Sequence, residues 1–99
     1  MRIIARGTLR EFWQNPKYSD AEQALLAWFD EVKNEEWQST QYIKSKYRSA
    51  SFIANNRVVF NIHGNKYRLV VAVRYDISIV FIKFIGTHKQ YDDIDASTI

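Results

Sequence analysis

The chain has 99 residues, of which 46% are hydrophobic and 15% aromatic. This is enough for one folded domain, and it excludes both a disordered polymer and a chain with two cores of ordinary size. The sequence contains no cysteine, which excludes disulfides and thiolate metal sites.

Positive charge is concentrated in one part of the chain. The formal net charge is +3, but residues 37–90 hold nine Lys/Arg and a single acid, Asp76. Residues 1–36 have a balance of −2, and three acids, Asp92, Asp93 and Asp95, follow near the end. The basic segment favours a polyanionic partner, since lysine and arginine neutralise phosphates and release counterions.

The first third of the chain predicts one strand and a helical hairpin. Met1–Ala5 is a short apolar run typical of an edge or central strand. Thr8–Glu11 and Ser19–Glu22 both have the S/T-x-x-E form of a capping box, so we expect a helix to begin at each. Pro16 ends the first helix, because its ring excludes the preceding residue from helical geometry.

Both predicted helices of the hairpin, Thr8–Glu35, carry an apolar stripe. The spacings i, i+3, i+4 and i+7 place one set of side chains on a single face of each helix. The stripes consist of Leu9, Phe12 and Trp13 in the first helix, and of Leu25, Trp28, Phe29 and Val32 in the second. A shorter third helix is predicted from Ser39 or Thr40 through Tyr47, with Ile43 and Tyr47 facing inward.

From Phe52 onward the apolar residues alternate with a period of two, which predicts strands. We expect strands at Arg57–Ile62, Lys66–Tyr75 and Ile77–Ile85, with turn residues between them. Short connections imply antiparallel pairing, because parallel neighbours need a long crossover. The middle strand has an apolar face formed by Tyr67, Leu69, Val71, Val73 and Tyr75, and an opposite face formed by Lys66, Arg68, Val70, Ala72 and Arg74.

These patterns predict a single α+β domain over residues 1–99. The helical hairpin packs on one face of a curved, mainly antiparallel sheet, and the other face presents cations. The longest apolar runs are under ten residues, too short to cross a bilayer, so we expect a cytoplasmic protein. Neither His-x3-His nor His-Glu-x-x-His occurs, so no metal site or other cofactor is predicted.

Several residue types in the basic segment suit RNA cleavage without a metal. Such cleavage needs a group that takes the ribose 2′-OH proton, cations for the phosphorane, and a donor for the departing 5′ oxygen. His88, Lys89 and Tyr91 follow the last strand, and Lys66, Arg68 and Arg74 lie along the middle one. The alternatives are a backbone contact for His88, a packing role for Tyr91, ordinary solvent exposure for the cations, or RNA binding without catalysis.

Four blocks of the chain resemble one known family. The blocks MRIIARGTLREFW, YRSAS, NNRVVFNIHGNKYRLVVAV and FIKFIGTHKQYDDIDA are similar to the HigB toxins of bacterial type II toxin–antitoxin modules, distant relatives of RelE. The resemblance runs in order through nearly the whole chain. It implies a small RelE-like fold and an endoribonuclease, or mRNA interferase, that cuts mRNA during translation in the ribosomal A site.

The resemblance also implies partners. A HigA-type antitoxin with a helix-turn-helix would inhibit the toxin, and the two together would bind operator DNA through the antitoxin. Messenger RNA and the ribosome would be the other partners, and no membrane is involved. The alternative from a different class is a non-catalytic RNA- or ribosome-binding inhibitor of translation.

Site residues follow from the same resemblance, carried onto GNKYRLVV and GTHKQYD. Arg68 and Lys66 are expected to stabilise the phosphorane, and His88 to transfer the proton. Tyr91 would assist His88 or stack on a base. Weaker contacts to phosphates or ribosomal RNA are expected from five further cations: Arg48, Arg74, Lys44, Lys46 and Lys89.

Overall fold

The computed structural model describes all residues from Met1 to Ile99 and is built around one five-stranded sheet. The strands are β1 (Arg2–Ile4), β2 (Ser51–Ile53), β3 (Arg57–Ile62), β4 (Tyr67–Arg74) and β5 (Ile79–Thr87). Their order is β1-β5-β4-β3-β2. Strand β1 runs parallel to β5, and every other pair is antiparallel, which confirms the mainly antiparallel sheet.

Four helices and one 3-10 helix complete the fold. They are α1 (Gly7–Gln14), the 3-10 helix (Pro16–Ala21), α2 (Glu22–Lys33), α3 (Thr40–Lys46) and α4 (His88–Asp92). The Ser39 side chain caps α3 by accepting a hydrogen bond from the Tyr42 backbone N–H, as predicted. Helix α4 was not predicted. None of the helices has the length and apolarity that a membrane span requires.

Both predicted N-terminal capping boxes are wrong. Helix α1 begins one residue before Thr8, so the Thr8 side chain lies inside the helix and caps nothing. Ser19 lies in the 3-10 helix, and its hydroxyl donates to the Pro16 carbonyl at 3.3 Å. The 3-10 helix arises because Pro16 sits at its first position, and it delays the start of α2 to Glu22.

The strand predictions need smaller corrections. Strand β3 has the bounds that were predicted, and β4 is one residue shorter at each end. Strand β5 begins at Ile79 and ends at Thr87, each two residues later than predicted. Its start is delayed because residues 75–78 form a turn in which Ser78 has φ 56°. The edge strand β2 was not predicted as a separate element.

The helices pack against one side of the sheet, which we call the inner face. Its side chains alternate along β4 as predicted, with Tyr67, Leu69, Val71 and Val73 fully buried. These strand side chains share one core with the apolar stripes of the helices, to which Leu9, Leu25, Trp28 and Val32 belong. Ile43 of α3 is also buried in this core, and Tyr47 packs against it. Burial of this apolar area is the main force that holds the two layers together.

The opposite side of the sheet, the outer face, is not the open cationic surface that was predicted. Its centre is a second apolar cluster of Val59 and Val70, both almost fully buried under the segment after α4. Ala96 is buried in this cluster, and Tyr91, Ile94 and Ile99 pack against it. The cations of the outer face therefore lie at its two ends, because apolar side chains occupy the middle.

Candidate active site at the end of the sheet

Three of the predicted site residues meet at one end of the outer face. The Arg68 Nε atom lies 3.4 Å from His88 Nε2, and the Arg68 guanidinium carbon lies 5.0 Å from the centre of the Tyr91 ring. All three side chains are partly buried. The guanidinium thus bridges an imidazole and an aromatic ring, an arrangement that fixes its plane.

The register of the sheet explains this meeting. Arg68 lies between Asn61 of β3 and Gly86 of β5, and α4 begins two residues after Gly86. A Cβ atom at Gly86 would lie 2.5 Å from Phe84 Cζ and 2.6 Å from Gln90 Oε1. A side chain at position 86 would therefore displace the Phe84 ring or the Gln90 side chain, whereas glycine lets α4 fold back over the strand ends with His88 beside Arg68.

Helix α4 is held by a capping box. The Thr87 hydroxyl accepts from the Gln90 backbone N–H at 3.1 Å, and Gln90 Oε1 accepts from the Thr87 N–H at 2.9 Å. The Gln90 amide also donates to the Tyr18 hydroxyl at 3.2 Å, which ties α4 to the 3-10 helix. Sequence reasoning missed this element, although the Thr87-x-x-Gln90 spacing is the signal that identifies it.

His88 Nε2 is the acceptor in the contact with Arg68, because a guanidinium has donors and no acceptor atom. A ring nitrogen that accepts this hydrogen bond can accept one from a reactant that displaces the arginine. The Tyr91 hydroxyl makes no hydrogen bond within the chain, so it is free to bind a reactant.

Lys66 lies in a second cluster. Its ammonium pairs with Oδ2 of Asp20, while Oδ1 of Asp20 accepts from the Tyr67 hydroxyl. The hydrogen bond from Lys66, and next that from Tyr67, hold the pKa of Asp20 below its usual value. The same bond to Asp20 raises the pKa of Lys66, so this lysine stays cationic at neutral pH. The other histidine, His63, lies in the β3–β4 turn, and its Nε2 atom is 3.8 Å from Oδ2 of Asp20.

The five cations that the resemblance suggested as RNA contacts differ in whether their side chains already bind another group of the chain. The Arg74 guanidinium forms two hydrogen bonds with Asp76, at 3.1 and 2.8 Å. Lys46 pairs with the buried Glu35, and Lys44 donates to the Ala50 carbonyl at 2.9 Å. Of these five cations, Arg48 and Lys89 are the exposed ones whose side chains have no ion-pair or hydrogen-bond partner.

The cluster offers a proton acceptor, a fixed cation and a free phenol on one surface. No three His, Cys, Asp or Glu side chains are grouped so that they would hold a metal ion. Asn61 flanks Arg68 across the strand pair, and its side chain is partly exposed. These are groups that can bind and polarise a phosphodiester.

The comparisons with known proteins identify a family. The family model HigB_toxin, described as the RelE-like toxic component of a toxin-antitoxin system, matches residues 21–94, or 74 of the 99 residues. The matched range contains α2, α3, strands β2 to β5 and α4, and thus the whole Arg68–His88–Tyr91 cluster. Among curated proteins, none matches the chain.

Proposed function

The chain belongs to the HigB toxin family of RelE-like toxins, and from this premise we propose that it is an endoribonuclease that cuts mRNA during translation. The observation that carries the proposal is the contact between Arg68 Nε and His88 Nε2 beside the unbonded Tyr91 hydroxyl. Cleavage through the ribose 2′-OH requires a base, a cation and an acid at one phosphate, and these three side chains supply such groups.

Each residue has a distinct role in this proposal. His88 Nε2 takes the 2′-OH proton as the oxygen attacks the adjacent phosphorus. Arg68 moves from His88 onto the non-bridging oxygens and stabilises the extra charge of the phosphorane. Tyr91 donates its hydroxyl proton to the departing 5′ oxygen; where Tyr91 instead stacks on the neighbouring base, a water molecule supplies that proton. The products are a 2′,3′-cyclic phosphate and a free 5′-OH.

Lys66 has a minor role in the proposal. Its ion pair with Asp20 leaves the ammonium charged but partly compensated, so it attracts a phosphate more weakly than Arg68 does. Arg48 and Lys89 are the leading candidates for further RNA contacts, since neither has a partner within the chain. Arg74, Lys44 and Lys46 contribute less, because each already binds another group.

The family implies an antitoxin as a protein partner. We propose that this antitoxin is of the HigA type, that the substrate is ribosome-bound mRNA, and that the toxin acts in the cytoplasm. Its contact with operator DNA would run through the antitoxin alone. The excess of cations in residues 37–90 supports attraction to mRNA and ribosomal RNA.

Primer extension on a defined mRNA in a purified translation system tests this function. We expect codon-linked cuts only when ribosomes are present, and a loss of about 10²- to 10⁴-fold in His88→Gln. His63→Asn is the matched control, because it removes the other histidine and asparagine tolerates the φ of 55° at this position. Translation arrest without any cuts would instead assign the chain to the non-catalytic inhibitors.

A further inference from the structure

A cavity of 230 Å³ lies on the outer face at the end opposite to Arg68. Its lining contains no carboxylate and includes three cations, one aromatic ring and two amides: Arg57, Arg74, Lys83, Phe81, Asn55 and Asn56. We propose that this cavity is a second RNA subsite, which binds one nucleotide with its phosphate between Arg57 and Lys83 and its base on Phe81.

Lys83 reaches the cavity because of a β-bulge. Val70 pairs with Phe84 and Val71 with Ile82, so Lys83 is the extra residue of β5 with no partner on β4. A bulge redirects the side chain that it inserts, and such irregularities are common beside binding sites. The Lys83 ammonium lies 5.9 Å from the centre of the Phe81 ring, is exposed, and forms no ion pair. Its charge is therefore available to an anion.

Arg57 supplies a second cation to the lining. One of its terminal nitrogens donates to the Asn55 carbonyl at 2.9 Å, and the other donates to the main-chain oxygen of Ile99. The Arg57 Nε atom is buried and has no acceptor within the chain. Buried donors are normally satisfied, so a shift of the Arg57 side chain that brought this N–H to a ligand oxygen would remove an unpaired donor. Arg74 is a weaker contributor because Asp76 already binds it.

The remaining lining suits a nucleobase. The Phe81 ring is partly exposed and offers a face for stacking, which is the usual way in which proteins hold unpaired bases. Asn55 and Asn56 lie in the turn between β2 and β3, where they adopt φ values of 62° and 60°, and both line the cavity. Asn55 is held by its bond to the Ser97 carbonyl at 2.8 Å, whereas the Asn56 amide has no partner and can reach a base edge.

The position of the cavity relates it to the candidate active site. Ala72 of the lining and Arg68 lie on the same side of β4, four residues apart, which corresponds to about 13 Å along the strand. An RNA segment of a few nucleotides spans such a distance around the apolar cluster between them. The inference deepens the proposed function and rests on it, since it assigns a second anchor to the same RNA.

RNA affinity measured without catalysis tests the subsite. The probes are a fluorescent 2′-O-methyl RNA oligonucleotide, which cannot be cut, and purified ribosomes in a sedimentation assay. We expect Lys83→Ala to weaken binding at least about threefold and to reduce the magnitude of the salt slope by about 0.7. Phe81→Leu should weaken binding about fivefold or more without changing that slope, because it removes stacking but no charge.

Lys33→Ala is the control for the loss of a lysine beside an aromatic ring, since Lys33 lies 5.9 Å from the centre of the Phe29 ring on α2, where it also pairs with Asp30. Its RNA affinity should equal that of the wild type. Unchanged affinity of Lys83→Ala for both probes would overturn the subsite. If Lys83→Ala lost antitoxin binding but kept its RNA affinity, the subsite would also be overturned, and the cavity would be assigned to a protein partner. If the wild type cuts no mRNA but Lys83→Ala still weakens binding, the subsite stands and the nuclease proposal fails.

Discussion

The Arg68 Nε atom lies 3.4 Å from His88 Nε2, although the two residues are 20 positions apart in the chain. Strand β4 carries the arginine and helix α4 carries the histidine, and the pairing of Arg68 with Gly86 brings the two elements together. The contact couples a permanent cation to the imidazole that the proposed mechanism uses for proton transfer. It therefore makes the identity of residue 68 important for more than its charge.

Replacing Arg68 by lysine tests this coupling. Lysine keeps the positive charge but loses the Nε–H that meets His88 and the planar group over the Tyr91 ring. We expect mRNA cleavage in the translation assay to fall between about tenfold and 100-fold, while RNA affinity changes little. Lys89→Arg is the control, as it makes a comparable exchange at an exposed position. Full activity of the lysine variant would show that charge alone suffices.

Gly86→Ala should displace α4. The new Cβ would collide with the Phe84 ring and with the Gln90 oxygen that closes the capping box. We expect a loss of about 1–3 kcal/mol in the free energy of unfolding and a loss of cleavage at least about tenfold. Denaturant titration and primer extension measure the two effects.

Gly7→Ala is the natural control for this prediction, because a Cβ atom added at Gly7 would have no neighbouring atom within 4 Å. Gly7 is the first residue of α1, where alanine is a better helix former than glycine. The stability of this variant should therefore equal or exceed that of the wild type. An equal loss in both variants would mean that glycine flexibility, not space, matters at position 86.

The ion pair between Asp20 and Lys66 predicts a defined pH dependence of stability. The hydrogen bonds from Lys66 and Tyr67 lower the pKa of Asp20 from 3.8, so the carboxylate stabilises the fold above pH 3.8. This contribution is lost as the pH falls through the lowered pKa. Asp20→Asn should therefore melt below the wild type at pH 7, and the difference should disappear in acid.

Thermal melts of both proteins across the pH range measure this difference. Because the pKa of Lys66 is raised above 10.5, the ion pair also stabilises the fold below pH 10.5. This stabilisation is lost as the pH rises through the raised pKa of Lys66. In a Lys66→Met background, the Asp20→Asn effect should be largely removed. Asp30→Asn, which breaks an exposed pair with Lys33 at 3.2 Å, should change the melting temperature little at any pH. A pH-independent Asp20→Asn effect would contradict the prediction.

Glu35 is the one buried charged residue, and it joins α3 to the rest of the core. Its carboxylate accepts from Trp37 Nε1 and from the Tyr47 hydroxyl, both at 3.1 Å, and pairs with Lys46. Burial raises the pKa of Tyr47, and the nearby carboxylates of Glu35 and Glu31 raise it further, so this hydroxyl remains a donor.

Glu35→Ala should cost about 1–3 kcal/mol in the free energy of unfolding, because it leaves the buried indole N–H without an acceptor. Urea titration provides the measurement. Glu31→Ala removes the other, exposed acceptor of the Tyr47 hydroxyl and should cost much less. Comparable losses in the two variants would show that burial of the carboxylate is not the source of the effect.

Local patterns in the sequence determined much of the fold. The alternation along β4 predicted its inner face, and the Ser39 cap predicted the start of α3. The same approach failed at Thr8 and Ser19, where two suitable motifs do not cap a helix. The difference arises because a capping motif specifies only a few bonds, whereas Pro16 and the packing of the hairpin decide where each helix begins.

The sequence by itself also determined the resemblance to the family, the excess of cations in residues 37–90 and the residue types of the site. Only the tertiary structure decided that Arg68 meets His88, that Asp20 engages Lys66 from 46 residues away, and that apolar side chains divide the outer face. Periodicity and caps reflect interactions within a few residues of the chain. Pairing between distant side chains depends on sheet register and packing, which no local pattern encodes.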